Sequence, residues 1–115
     1  MTHNETLLQQ ARVFRDCMGQ PNGGGDRQLQ QTLISEEYWE FLDAPTDVET
    51  LKELADLVFV CYQYAAAVGW DLDVAMRRVF ESNMSKLVHG KPLKRADGKV
   101  IKGPNYRPPA LDDLV

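Results

Sequence analysis

The acidic residues within positions 33–60, LISEEYWEFLDAPTDVETLKELADLVFV, constrain this chain more than any other feature. Each residue of an α-helix advances by about 100° around the axis. On that wheel Glu36, Glu37 and Glu40 share one arc with Leu29, Leu33, Phe41 and Ala44. Beyond the break at Pro45, Glu53 and Asp56 flank Val60 and lie beside Leu57, Tyr64 and Ala67, while Lys52 projects elsewhere. Two successive helices therefore each direct an i,i+3 carboxylate pair, Glu37/Glu40 and Glu53/Asp56, toward an apolar interior. The short APTD connection makes these helices antiparallel neighbours, so the two pairs can meet.

Ionised carboxylates buried without partners are strongly disfavoured. Protonation relieves the conflict, and so does a bound cation. Converging oxygens suit hard divalent ions, above all Mg²⁺ or Mn²⁺. No histidine stands in the cluster, which argues against zinc and against a ferritin-like di-iron site. The competing reading is a solvated acidic face, because glutamate is a good helix former. The second pair, correctly phased on the adjacent helix, weighs against it.

Helix breakers divide the chain. Apolar spacing predicts a first helix over about 5–18, ended by GQPNGGGD. A second is expected over about 27–44, stopped by Pro45. Thr46 or Asp47 caps a third over about 48–68, and Gly69 ends it. Asp71 caps a fourth that extends to about 88, where Gly90 and Pro92 terminate it. The rest, rich in Pro and Gly, reads as an irregular tail with a hairpin turn at Asp97-Gly98. The expected fold class is all-α: a four-helix bundle-type core over about 5–88 and a tail over about 89–115, in one domain of residues 1–115.

Totals narrow the function classes. A chain of 115 residues fits one domain. The net charge of −4 weighs against general nucleic-acid binding. Cys17 and Cys61 have no CxxC spacing, so no disulfide scaffold is expected and a cytoplasmic setting fits. The N-terminal residues carry no apolar signal core. The most apolar run, residues 57–69, falls short of the ~20 residues that span a bilayer.

Two further features concern anions. Asn83 and Lys86 form a third polar i,i+3 pair, on an arc shared with Met76, Val79, Phe80 and Leu87. A lysine and an amide beside a cation cluster suit phosphate; the alternative is a snorkelling lysine and an asparagine that satisfies backbone. Residues 88–107 hold six basic side chains against Asp97, a net +5, and leave −9 elsewhere. A basic segment of this kind suits a polyphosphate, or else packs on a partner or stays solvated. Tyr38, Trp39 and Phe41 spread around the second helix and the third is apolar nearly all round. Four helices of this length cannot bury all of that, so a homo-oligomer is expected.

Glu36-Glu37-x-x-Glu40 followed by Glu53-x-x-Asp56 resembles the EExxE…ExxD signature of the all-α nucleoside triphosphate pyrophosphohydrolases, the MazG-like superfamily. ESNMSKL (residues 81–87) resembles its fourth-helix segment, and DGKVIKGPNYRPP the tail of a small single-domain branch. The resemblance implies a four-helix core, Mg²⁺ dependence, a homodimer or homotetramer, and nucleotide-pool house-cleaning. The implied reaction converts a (deoxy)nucleoside triphosphate to the monophosphate and pyrophosphate, with no nucleic-acid or membrane partner. By position, Glu37, Glu40, Glu53 and Asp56 resemble the metal ligands. Glu36 matches the residue that positions or deprotonates water or holds a further metal. Asn83 and Lys86 would contact phosphates, and Lys99, Lys102 and Tyr106 would close over the nucleotide. Phosphoribosyl-ATP pyrophosphohydrolases carry a lysine shortly before the EE pair; here QQTLIS stands there, which disfavours phosphoribosyl-ATP as substrate. A silent nucleotide- or partner-binding module is the alternative from a different class.

Overall fold

Local capping chemistry starts three of the helices. Helix α1, Leu7–Cys17, opens with a capping box: Gln9 N–H donates to Thr6 Oγ1 at 3.2 Å and Thr6 N–H to Gln9 Oε1 at 2.8 Å. Helix α2, Arg27–Asp43, begins at Asp26, whose carboxylate accepts from Leu29 N–H. Helix α3, Asp47–Val68, begins at Thr46, which accepts from Glu49 N–H. It ends at Gly69 with φ 83°, the left-handed conformation that glycine adopts without strain. Helix α4 covers Leu72–Met84. The structure, a computed structural model, describes residues 4–115; the first three residues of the expected domain lie outside them.

The chain divides into two compact units, Met1–Leu72 and Asp73–Val115. In the first, α3 packs against both α1 and α2. Leu8 and Ala11 of α1 meet Tyr62, Ala65 and Ala66 of α3, with Trp70 and Leu72 against them. The glycine loop between α1 and α2 docks on the end of α3. Gly23 N–H donates to Ala66 O at 2.9 Å and Gly25 N–H to Ala67 O at 2.7 Å. Arg15, only 2% exposed, holds this loop from behind by donating Nε and Nη2 to Pro21 O. Carbonyls that every helix C-terminus leaves without intrahelical partners are thus satisfied by loop amides.

This unit leaves much apolar surface in water. The one side chain that α2 buries fully is Gln30, while Leu29, Tyr38, Trp39 and Leu42 are exposed. On α3, Leu51, Leu54 and Val58 are exposed as well.

In the second unit, α4 stops at Met84, about four residues before the expected end. Ser82 Oγ donates to Arg107 O at 2.7 Å, and Arg107 N–H donates to Ser85 Oγ at 2.9 Å. Arg78 donates to Ala110 O at 2.9 Å and pairs with both oxygens of Asp113. The tail therefore binds the last turns of α4, and α4 groups with the tail rather than with α1–α3. The tail is also less irregular than expected. Strands β1, Leu93–Lys94, and β2, Val100–Ile101, pair antiparallel in the register Leu93↔Ile101 and Lys94↔Val100. Asp97-Gly98 makes the turn, with Gly98 at φ 86°. A 3₁₀ turn, Asp112–Leu114, follows. No helix among the described residues is long and apolar enough to cross a membrane.

A Cβ placed on Gly25 would stand 2.9 Å from Ala67 O and 3.0 Å from Ala67 Cβ. Gly25→Ala must therefore push the loop off α3. We expect a loss of about 1–3 kcal/mol in urea unfolding followed by circular dichroism.

Candidate metal centre

The three-residue connection folds α3 back along α2 and brings the carboxylates together. One oxygen from each of Glu37, Glu40 and Glu53 lies within 4.8 Å of the others. Glu37 and Glu53 are half-buried, and each has an oxygen, Oε2, that is enclosed without a hydrogen-bond partner; Glu40, expected to face the interior, is instead exposed at the rim of the group. Burial pushes Glu37 up to about 7 from its ordinary 4.5, reinforced by a hydrogen bond with Glu40 and by the charges of Glu40, Asp56 and Glu53. Asp56 is half-buried beside Glu37, and both line the same cleft. Glu36 is exposed on α2.

Lys52 does not project elsewhere, as its helical phase suggested. Its Nζ lies 2.9 Å from Asp56 Oδ2 and 3.2 Å from Glu53 Oε1. The hydrogen bonds to Asp56 and then Glu53 raise its pKa. The phase of a Cβ fixes where a side chain starts, and four methylenes then let the ammonium swing to its i+4 neighbour.

The other candidates lie in the second unit. Asn83 is exposed on the last turn of α4. Lys86 is half-buried in the turn beyond it, where its N–H donates to Asn83 O at 3.2 Å. The pair is thus not the two-residue helical face that was expected, because the helix ends between them. Lys99 is exposed at the hairpin turn, its N–H bonded to Asp97 Oδ1. Lys102 Nζ stands 4.8 Å over the ring of Tyr106, a cation–π pair.

A cleft of about 420 Å³ adjoins the carboxylates, lined by Phe14, Glu37, Asp56, Phe59, Val60 and Gln63. Sequence reasoning placed Phe14 only among the apolar residues of the first helix and did not single out Gln63. The signal for Gln63 was its spacing: it lies seven residues after Asp56, on the same face of α3.

The donor set fits a hard divalent cation. Oxygens of three glutamates converge, those of Glu37 and Glu53 include one enclosed and unpaired atom each, and among the described residues no histidine or cysteine joins the group. A helical scaffold with such a carboxylate group is of the kind that can hold a divalent cation. The chain belongs to the phosphoribosyl-ATP pyrophosphohydrolase family, whose description matches residues 19–83, within the MazG-like superfamily of all-α pyrophosphohydrolases. The matched segment contains Glu36, Glu37, Glu40, Glu53, Asp56 and Asn83. No curated protein matches the chain.

Glu37 binds its proton more tightly in the folded protein than in the unfolded chain. Its contribution to stability is therefore fully present below pH 4.5 and is lost as pH rises to about 7. In metal-free protein, Glu37→Gln should raise the melting temperature at pH 8 but not at pH 4. Mg²⁺ should stabilise the wild type at pH 8 and leave Glu37→Gln nearly unmoved, both read by differential scanning calorimetry.

Proposed function

We propose that this chain is a Mg²⁺-dependent pyrophosphohydrolase that converts a (deoxy)nucleoside triphosphate to the monophosphate and pyrophosphate, as a cytoplasmic house-cleaning enzyme. The observation that carries the reading is the carboxylate group of α2 and α3, in which Glu37 and Glu53 each hold an enclosed, unpaired oxygen within reach of Glu40. Family membership supplies the pyrophosphohydrolase chemistry.

Glu37, Glu40, Glu53 and Asp56 would hold the cation. When bound, it supplies neutralising charge to phosphate oxygens and makes a water more acidic. Glu36, solvent-exposed next to Glu37, would orient an attacking water and accept its proton, or hold a further cation. Lys52 releases Glu53 and Asp56 as the site fills. Lys86 and Asn83 bind the phosphate chain, with Lys86 stabilising the departing pyrophosphate. Lys99, Lys102 and Tyr106 provide basic and aromatic contacts from the tail.

A second reading is favoured by the family match itself: the triphosphate is phosphoribosyl-ATP. Both readings are tested by pyrophosphate release from a panel of nucleoside triphosphates that includes phosphoribosyl-ATP. We expect activity on at least one ordinary triphosphate, lowered roughly 100-fold or more by Glu40→Gln and by Asp56→Asn. Release from phosphoribosyl-ATP alone would establish the second reading. Release from none, or variants equal to wild type, would overturn both.

We further propose that the chain works as a homo-oligomer. Leu51, Leu54 and Val58 form one exposed stripe on α3, and Trp39 of α2 is 60% exposed. Apolar surface of this extent marks association. Sedimentation velocity should give a mass of two or four chains, and Leu54→Lys should lower it.

A further inference from the structure

The cleft beside the carboxylates has two chemically different walls. Glu37 and Asp56 form one, and Phe14, Phe59 and Val60 form the other. The rings of Phe14 and Phe59 meet edge to face, with centroids 5.4 Å apart and planes at 86°. Beyond them a second hollow of about 330 Å³ shares both phenylalanines and is bordered along α1 by Val13 and Cys17, with Glu5 and Gln10 at its polar edge. A ligand that fills this space is flat and apolar at one end and anionic at the other, where a cation is held.

Gln63 adds the third element. It is 8% exposed, it lines the cleft, and its carboxamide makes no hydrogen bond among the described residues. Its polar atoms are not among the enclosed ones, so they meet the water of the cleft, which a ligand's hydrogen bonds can replace. Its carbonyl and amino groups lie side by side, so it offers one acceptor and one donor in a plane. That is the complement of a nucleobase edge, which presents a neighbouring donor and acceptor.

We infer that the nucleobase of the substrate enters the cleft between α1 and α3, stacks on Phe14 and Phe59, and is read at its edge by the carboxamide of Gln63. The inference rests on the nucleotide reading for the anionic end and adds the compartment that selects the base. Gln63 acts as a specificity-determining residue, with no part in activating water.

The test separates this inference from the hydrolase reading. Isotope-labelled full-length protein is titrated with the four common nucleoside monophosphates, and with inorganic phosphate as the base-free probe. Signals of Phe14, Phe59 and Gln63 should move and saturate with at least one monophosphate and stay still with phosphate. Steady-state kinetics then compare wild type with Gln63→Leu and Phe14→Leu, two apolar replacements that preserve most of the volume. Each should raise KM for the best triphosphate roughly tenfold, with kcat within about threefold. Gln63→Leu should also flatten the preference among bases. Nucleotide hydrolysis without those shifts, or with KM and base preference unchanged in both variants, would overturn the inference while the hydrolase stands. Shifts without hydrolysis would support the base site and overturn the hydrolase, and the absence of both would overturn the two together.

Discussion

The withdrawal of Glu37 and Glu53 from water, beside further carboxylates, is the constraint around which the α2–α3 pair is built. Glu37 and Glu53 each enclose an oxygen that nothing in the protein satisfies, and Glu37 holds its proton to about pH 7 in response. A fold chosen for stability alone would place leucine at these positions. The helix pair instead keeps its least favourable groups at its centre, the pattern expected where a polar site overrides local packing rules. Lys52 moderates the cost from the rim, where its ammonium reaches Asp56 and Glu53. Its side chain is 67% exposed, so water screens that attraction and leaves it weak.

Legibility followed the range of the interactions involved. The first three helices begin and end within about two residues of their expected bounds, because Thr6, Asp26, Thr46 and Gly69 act on amides and carbonyls a few residues away. Helix α4 was expected too long because its end is set by Arg107, more than twenty residues downstream, which engages Ser82 and Ser85. No local pattern encodes such a contact. The same distance explains why the tail's attachment through Arg78 and Asp113 was invisible beforehand.

The carboxylate cluster was legible for a related reason. Helical phase and a three-residue connection determine which backbone positions face one another, and Glu37, Glu40 and Glu53 obeyed that geometry. Phase failed for Lys52, where a long flexible arm breaks the link between Cβ direction and charged end. It was also insufficient for Gln63, because a single amide in an apolar helix carries no signature until its neighbours are known. Phe14 acquires meaning only once α1 is seen packed across α3.

The loop at residues 19–25 looks, by composition, like the most tolerant stretch of the chain. Glycine-rich surface loops commonly accept insertions and drift in length. Here two of its amides close the end of α3, and Arg15 clamps the turn before them. The connection therefore serves as the terminus of a helix that lies more than forty residues further along the chain. Its length is set by a ruler that belongs to α3, and α1, the loop and the last turn of α3 should open and close to hydrogen exchange as one unit.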